Sequence, residues 1–160
     1  MTSFRAAIPF SEKVMAYIIR RGAAVTEILV FDHVDMPEAG VQLPAGTIDN
    51  GEIPRMAAIR EVHEETGLSD FSSIIFLGSH FYYYWPPKTL LKRYCFLFVS
   101  EDKRDEWVHV VQGAGEDAQM HFRIYWLPIN HSLRLTSDFG LYLRNTKELI
   151  EKGSVLSDSE

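Results

Sequence analysis

Apolar and polar positions along the chain change period several times, and each change predicts an element. Lys13 to Arg20 alternates, with Val14, Ala16 and Ile18 on one side, which predicts a strand. Arg21-Gly22 turns the chain into a second strand, Thr26 to Phe31, and the two form a hairpin. Residues 32–40 read as a loop, and Val41 to Pro44 as a short strand. Gly46 to Gly51 is turn-rich. Glu52 to Thr66 predicts a helix, with Pro54 in its first turn and Gly67 as its C-terminal cap. Strands follow at Ser73 to Tyr84, at Leu90 to Ser100, whose apolar run Tyr94–Val99 suits a central position, at Trp107 to Val111, and at Met120 to Leu127. In the last of these Met120, Phe122, Ile124 and Trp126 share a face. Trp85-Pro86-Pro87-Lys88, the charged stretch 101–106 and the glycine-flanked stretch 112–117 separate them. A second helix is expected from Asp138 to Lys152, with an apolar stripe of Phe139, Tyr142, Leu143, Thr146, Leu149 and Ile150 and a cap from Thr136 or Ser137. Residues 1–12 read as a mixed lead-in and 154–160 as a flexible tail, which leaves residues 1–153 as a single domain. Strands, helix, strands, helix suits an α+β fold, an α/β/α sandwich around a mixed sheet.

The first helix carries the chemistry. On a helical wheel Glu61, Glu64 and Glu65 fall within about 100° of one another, with Ala57 and Ala58 on the same side. Ile59, Val62 and Thr66 point the other way, toward a core. Like charges at these spacings repel by a few tenths of a kcal/mol each. An acidic helix face is ordinarily just solvated, so the wheel alone assigns no function.

Composition narrows the partners. The chain has 160 residues and a net charge of −6, which argues against a nucleic-acid backbone as partner. No apolar run is long enough for a membrane helix, and no signal peptide is visible. The one cysteine, Cys95, lies in an apolar strand, fits an inert buried thiol, and suits a reducing cytoplasm. The six histidines lack zinc-site spacing.

The spacing around the helix is Gly46, five residues, Glu52, seven residues, Arg60-Glu61-Val62, one residue, Glu64-Glu65, one residue, Gly67-Leu68. This resembles the Nudix box at every defining position. The resemblance implies the Nudix fold and hydrolysis of a phosphoanhydride, chemistry that gathers negative charge around phosphorus. It implies Mg²⁺ as cofactor, with Mn²⁺ as a substitute, since hard cations take carboxylate and water oxygens. Glu61, Glu64 and Glu65 would be metal ligands, with Glu52 a ligand or close neighbour. Arg60 would pair with a glutamate and fix its rotamer, and Gly46 would let the loop fold back against the helix. Glu61, Glu64, Arg60 and an acid from outside the box would form the catalytic set. Glu116 is the first candidate for that acid, Asp117 the second.

Substrate cues conflict. Leu43-Pro44-Ala45-Gly46 resembles the lead into the box of Nudix enzymes that cleave ADP-ribose and nucleotide sugars. Tyr84, sixteen residues past the box, resembles the dinucleoside polyphosphate branch, while Pro86 and Pro87 narrowly miss the proline position of the first branch. Tyr84 and its aromatic neighbours could stack a base, and Arg20 could reach a phosphate. The expectation is a Mg²⁺-dependent pyrophosphohydrolase acting on a nucleoside diphosphate derivative. Its alternatives are a dinucleoside polyphosphate or nucleoside di- or triphosphate hydrolase, or a nucleotide-binding module without turnover. The partner is a small-molecule nucleotide, and a homodimer is in keeping with the family.

Overall fold

The computed structural model describes residues 10–84, 88–130 and 132–156. Seven strands form one sheet: β1 (Phe10–Arg21), β2 (Thr26–His33), β3 (Ala45–Thr47), β4 (Ser73–Tyr84), β5 (Thr89–Val99), β6 (Glu106–Val110) and β7 (His121–Pro128). The order is β4-β5-β1-β2-β7-β6, with β3 also paired to β1. β1 and β5 run parallel, from Phe10 against Leu90 to Ile19 against Val99, while the other pairs are antiparallel. The sheet is therefore mixed, as the element order suggested.

Two helices cover opposite faces. On one face α1 (Pro54–Thr66) packs Ala57, Ala58 and Val62 against Val14, Ala16, Ile18, Phe96 and Phe98. On the other, α2 (Leu143–Glu151) and the segment before it cover Met15, Tyr17, Ile19, Cys95 and Leu97. Alternation along β1 and β5 sends successive residues into these two cores. Each fully buried large side chain contributes roughly 1.5–3 kcal/mol, and among the described residues Tyr17, Phe31, Phe98 and Phe122 are of this kind, each below 2% exposure. Cys95 is wholly buried, which pushes its thiol pKa up and leaves it inert.

Several expectations need correction. The short third strand lies at Ala45–Thr47 rather than 41–44. Pro44 has no N–H to give a ladder, so regular pairing starts after it, and Gln42 makes only an isolated bridge to Phe31. Gly46 and Thr47 are thus strand rather than loop. Glu52 precedes α1, which begins at Pro54, and Gly67 takes the left-handed cap (φ +80°) with its N–H on the His63 carbonyl. Ala57 and Ala58 are buried with Val62 and Thr66, and Glu65 is 2% exposed. The alanines belong to the core side, where small side chains let the helix approach the sheet. The second helix is broken in two. Ser137–Gly140 forms a 3₁₀ turn and α2 starts only at Leu143. Asp138 and Tyr142 are drawn into a side-chain network, and neither Thr136 nor Ser137 makes a capping bond. The tail is docked through Leu156: Val155 is buried and the Leu156 carbonyl accepts from Arg21. Residues 157–160, like Pro86, Pro87 and the lead-in through Pro9, lie outside the described residues. Among the described residues no helix is long and apolar enough to cross a membrane.

Candidate active site

The site is built where β3 hands the chain to α1. β3 pairs with β1 (Val14 against Gly46) and lies under the helix. A Cβ on Gly46 would sit 2.0 Å from the Glu61 carboxyl carbon. Gly46 is there because the Glu61 carboxylate occupies the place of a side chain. Glu65 points to the same strand, and its Oε1 accepts from the Ala45 N–H at 3.3 Å.

Arg60 is the hub. Its Nε and Nη2 donate to the two oxygens of Glu52 at 2.8 and 2.9 Å, a bidentate pair. Its Nη1 donates to Glu61 at 2.8 Å and to Glu64 at 3.2 Å, and Nη2 also reaches the Thr47 carbonyl at 3.0 Å. The pairing expected between Arg60 and one glutamate thus extends to three. Glu52 lies off the helix, yet the bonds from Arg60 bring it in and hold its carboxyl below the usual range.

The charge balance is uneven: Glu52, Glu61, Glu64 and Glu65 face one guanidinium. Glu61 is pushed up, first by burial, with the neighbouring Glu64 charge adding to it. Glu65 is pushed well up by burial, then by the charges of Glu61 and Asp117. A buried carboxylate with one long backbone hydrogen bond and two like charges nearby is short of cation. Among the described residues no three acidic, histidine or cysteine side chains converge to hold an ion as they stand. Arg60 draws three of the acids onto its own fork. The donor set is nonetheless all carboxylate oxygen with excess negative charge, which fits a hard divalent cation and not a soft one.

The end of α1 is held by β6 and the loop after it. His109 Nε2 donates to the Glu64 carbonyl at 2.9 Å, Trp107 Nε1 to the Thr66 carbonyl at 3.0 Å, and the Gln112 N–H to the Glu64 carbonyl at 2.9 Å. Burial lowers the His109 pKa, which favours the neutral ring. Gly113 (φ +91°) leaves room for the Glu64 carboxylate, which a Cβ there would meet at 2.7 Å. Sequence reasoning missed Trp107, His109 and Gly113. The alternation that sends residues 107 and 109 to one face of a strand was the available signal.

Other candidates lie apart. Arg20 is 8% exposed and is taken up by partners within the fold. It bonds Glu27 at 3.0 Å, Asp105 at 3.1 Å and the carbonyls of Asp102 and Arg104, and stacks 4.2 Å from the Trp126 ring. Four of its five N–H donors are thus engaged within the fold. Of the two loop acids Glu116 is exposed, and Asp117 is the one whose charge reaches Glu65. Tyr84 ends β4, its backbone paired with Thr89.

The NUDIX domain family matches residues 10–141 of this chain. Over 44 residues the chain is 50% identical to an RNA pyrophosphohydrolase of Cereibacter sphaeroides, a stretch that is 26% of this chain and 27% of that protein. The chain thus spans about a quarter of the length of the curated relatives it matches. The fold is similar to a C. elegans Ap4A hydrolase binary complex, with a TM-score of 0.58 and 21% identity, covering 88% of this chain and 98% of that one. It is also similar to the NUDIX domain of Shewanella oneidensis NrtR complexed with ADP ribose, with a TM-score of 0.64 and 16% identity over 90% and 89% of the two chains.

Proposed function

The chain belongs to the NUDIX domain family, and from that premise we propose that it is a Mg²⁺-dependent pyrophosphohydrolase. Its substrate is a nucleoside diphosphate joined to a second moiety, of the ADP-ribose or nucleotide-sugar kind. The observation that carries this reading is the imbalance of four gathered carboxylates against Arg60. Glu61, Glu64 and Glu65 would hold the metal, with Glu52 beside them. Magnesium bound there would neutralise the phosphate oxygens and lower the pKa of a coordinated water.

The chain's own residues do the rest. Arg60 holds Glu52 ionised and restrains the Glu61 and Glu64 side chains, so their rotamers are set before substrate arrives. Gly46 keeps the strand backbone close to Glu61. Neutral His109 and the Gln112 N–H fix the helix turn that carries Glu64. An acid outside the box would take a proton from water; Glu116 is the first candidate from the sequence, and the charge of Asp117 on Glu65 favours its neighbour Asp117.

A second reading is cleavage of a dinucleoside polyphosphate or of an RNA 5′ end. The names of the similar proteins favour it: an Ap4A hydrolase and an RNA pyrophosphohydrolase. One screen separates the readings. Phosphate or nucleotide release is measured with Mg²⁺ and Mn²⁺ on ADP-ribose, nucleotide sugars, diadenosine tetraphosphate, 5′-triphosphorylated RNA and nucleoside triphosphates. Metal-dependent turnover fastest on ADP-ribose or a nucleotide sugar is expected. Preference for the tetraphosphate or RNA selects the second reading. Ligand-induced melting shifts with no turnover anywhere would make the chain a binder instead.

A further inference from the structure

Beside the acid cluster, on the same face of the sheet, the half of β5 that α1 leaves uncovered carries a terrace of aromatic rings. Lys92, Tyr94 and Phe96 alternate onto that face, since Phe96 packs in the α1 core. Register places Phe81 opposite Lys92, Ser79 opposite Tyr94 and Phe76 opposite Phe96. The shift in register between Phe76 and Gly78 keeps Phe76 and Phe81 on one face despite their odd spacing. Phe76 is 52% exposed and Phe81 63% exposed. The Phe76 ring stands 5.3 Å from Phe96 and 6.4 Å from Tyr94, and the Lys92 ammonium lies 4.9 Å from the Tyr94 ring and 5.8 Å from the Phe81 ring.

The terrace is joined to the acids row by row. Tyr94, Val14 and Gly46 stand side by side on β5, β1 and β3. Two strand spacings, roughly 10 Å, separate Tyr94 from the glycine that accommodates Glu61. Glu12 links the two regions directly. Its carboxylate accepts from the Tyr94 hydroxyl at 2.7 Å, and its carbonyl accepts from the Ile48 N–H at 3.0 Å, within the stretch that leads to Glu52. Lys13, next in β1, donates to Thr47, whose carbonyl holds Arg60.

We propose that the Phe81–Lys92–Tyr94 terrace seats the heterocyclic base of the substrate, with Lys92 placed to meet the phosphate nearer the nucleoside. This rests on the hydrolase reading above and adds to it the residues that recognise the nucleoside. A flat ring bears on exposed aromatic faces, which take any base. An ammonium among them matches the anionic chain leading from that base to the acid cluster. Tyr82 is on the other face, donated to by Ser137, so the tyrosine run does not act as a unit.

The test compares wild type with Phe81→Ala, Phe81→Trp, Tyr94→Ala and Lys92→Ala, with Val108→Ala on the far edge strand as control. KM and kcat are measured for ADP-ribose and diadenosine tetraphosphate, KM for inorganic tripolyphosphate, and ADP affinity by calorimetry. Phe81→Ala and Tyr94→Ala should raise the nucleotide KM and the ADP dissociation constant about tenfold, the scale of one stacked base. They should shift kcat and the tripolyphosphate KM less than twofold, and Phe81→Trp should restore affinity. A nucleotide KM within twofold of wild type in Phe81→Ala overturns the terrace, as does an equal shift with tripolyphosphate. A change from dimer to monomer in sedimentation with KM unaltered overturns it too, and assigns the face to a second copy. If wild type cleaves none of these compounds the hydrolase reading fails. ADP calorimetry then judges the terrace alone: lost affinity in Phe81→Ala keeps it, and unchanged affinity removes it.

Discussion

Two polar networks lie on opposite faces of one sheet, and they handle charge in opposite ways. On the α2 face, Asp138 is 6% exposed and is matched by cationic and hydrogen-bonding partners. His80 Nε2 donates to it at 2.8 Å, and Arg93 Nε lies 3.0 Å away, an ion pair too bent to count as a hydrogen bond. Tyr142 donates to His80 Nδ1, and Tyr17 donates to the Phe139 carbonyl and accepts from the Tyr142 N–H. One acid meets two basic side chains, and the network fastens the 3₁₀ turn and α2 to the sheet. On the α1 face Glu52, Glu61 and Glu64 share one arginine, Glu65 lies beside them without it, and Glu61 and Glu65 are pushed up by burial. The first network matches its acid with basic partners and is structural. The second is short of cation, as expected of a site completed by something from solution.

This contrast makes predictions that should separate activity from stability. The largest effect is expected from Glu64→Gln. Turnover should fall roughly a thousandfold, the scale of losing one charge-stabilising group, while the melting temperature changes little. Full Mg²⁺-dependent activity in that variant would remove Glu64 from the site. Asp138→Ala should do the reverse. Leaving Arg93 buried without its acid costs about 3 kcal/mol, read as a lower denaturant midpoint, with turnover per folded molecule within twofold of wild type.

Gly46→Ala probes geometry without touching charge. The new methyl must displace the Glu61 carboxylate, so Mg²⁺ affinity should drop about ten- to a hundredfold, the range for disturbing the support of a ligand. Calorimetric titration checks this, and unchanged affinity would mean that Glu61 is not a ligand. The smallest effect concerns Glu65. Its folded-state pKa is raised, so below neutrality the folded protein binds a proton more readily than the unfolded chain. Without metal, stability should therefore be greatest below the unfolded pKa and fall as pH rises through the folded value. Glu65→Gln should flatten that slope and stabilise the metal-free protein at pH 7 by about 1 kcal/mol, while removing its response to Mg²⁺. Melting curves from pH 4 to 8, with chelator and with Mg²⁺, would show both.

The parts of the fold that were legible were those with strong local signals. β4 was placed residue for residue, Gly67 ended α1, alternation marked one face of β1, and the apolar run of β5 suited its place inside the sheet. The box residues stand on one helix, the loop before it and β3, close in sequence, so the resemblance to the Nudix box collected them. What could not be seen depended on contacts distant in sequence. From the sequence Arg20 could reach a phosphate, yet acids and carbonyls from residues 27 and 102–105 enclose it. The wheel put Ala57 and Ala58 with the acids because it cannot tell how near β3 comes. Glu12, Gly113 and His109 enter only when β1, β6 and the loop before β7 fold around α1.

The most direct test of the account is a crystal grown with Mn²⁺ and a slowly cleaved nucleotide, examined by anomalous scattering. The account predicts peaks bound by Glu61, Glu64 and Glu65, between these acids and the phosphate chain. Peaks elsewhere, with Arg60 still holding Glu52, Glu61 and Glu64 beneath an ordered nucleotide, would contradict it.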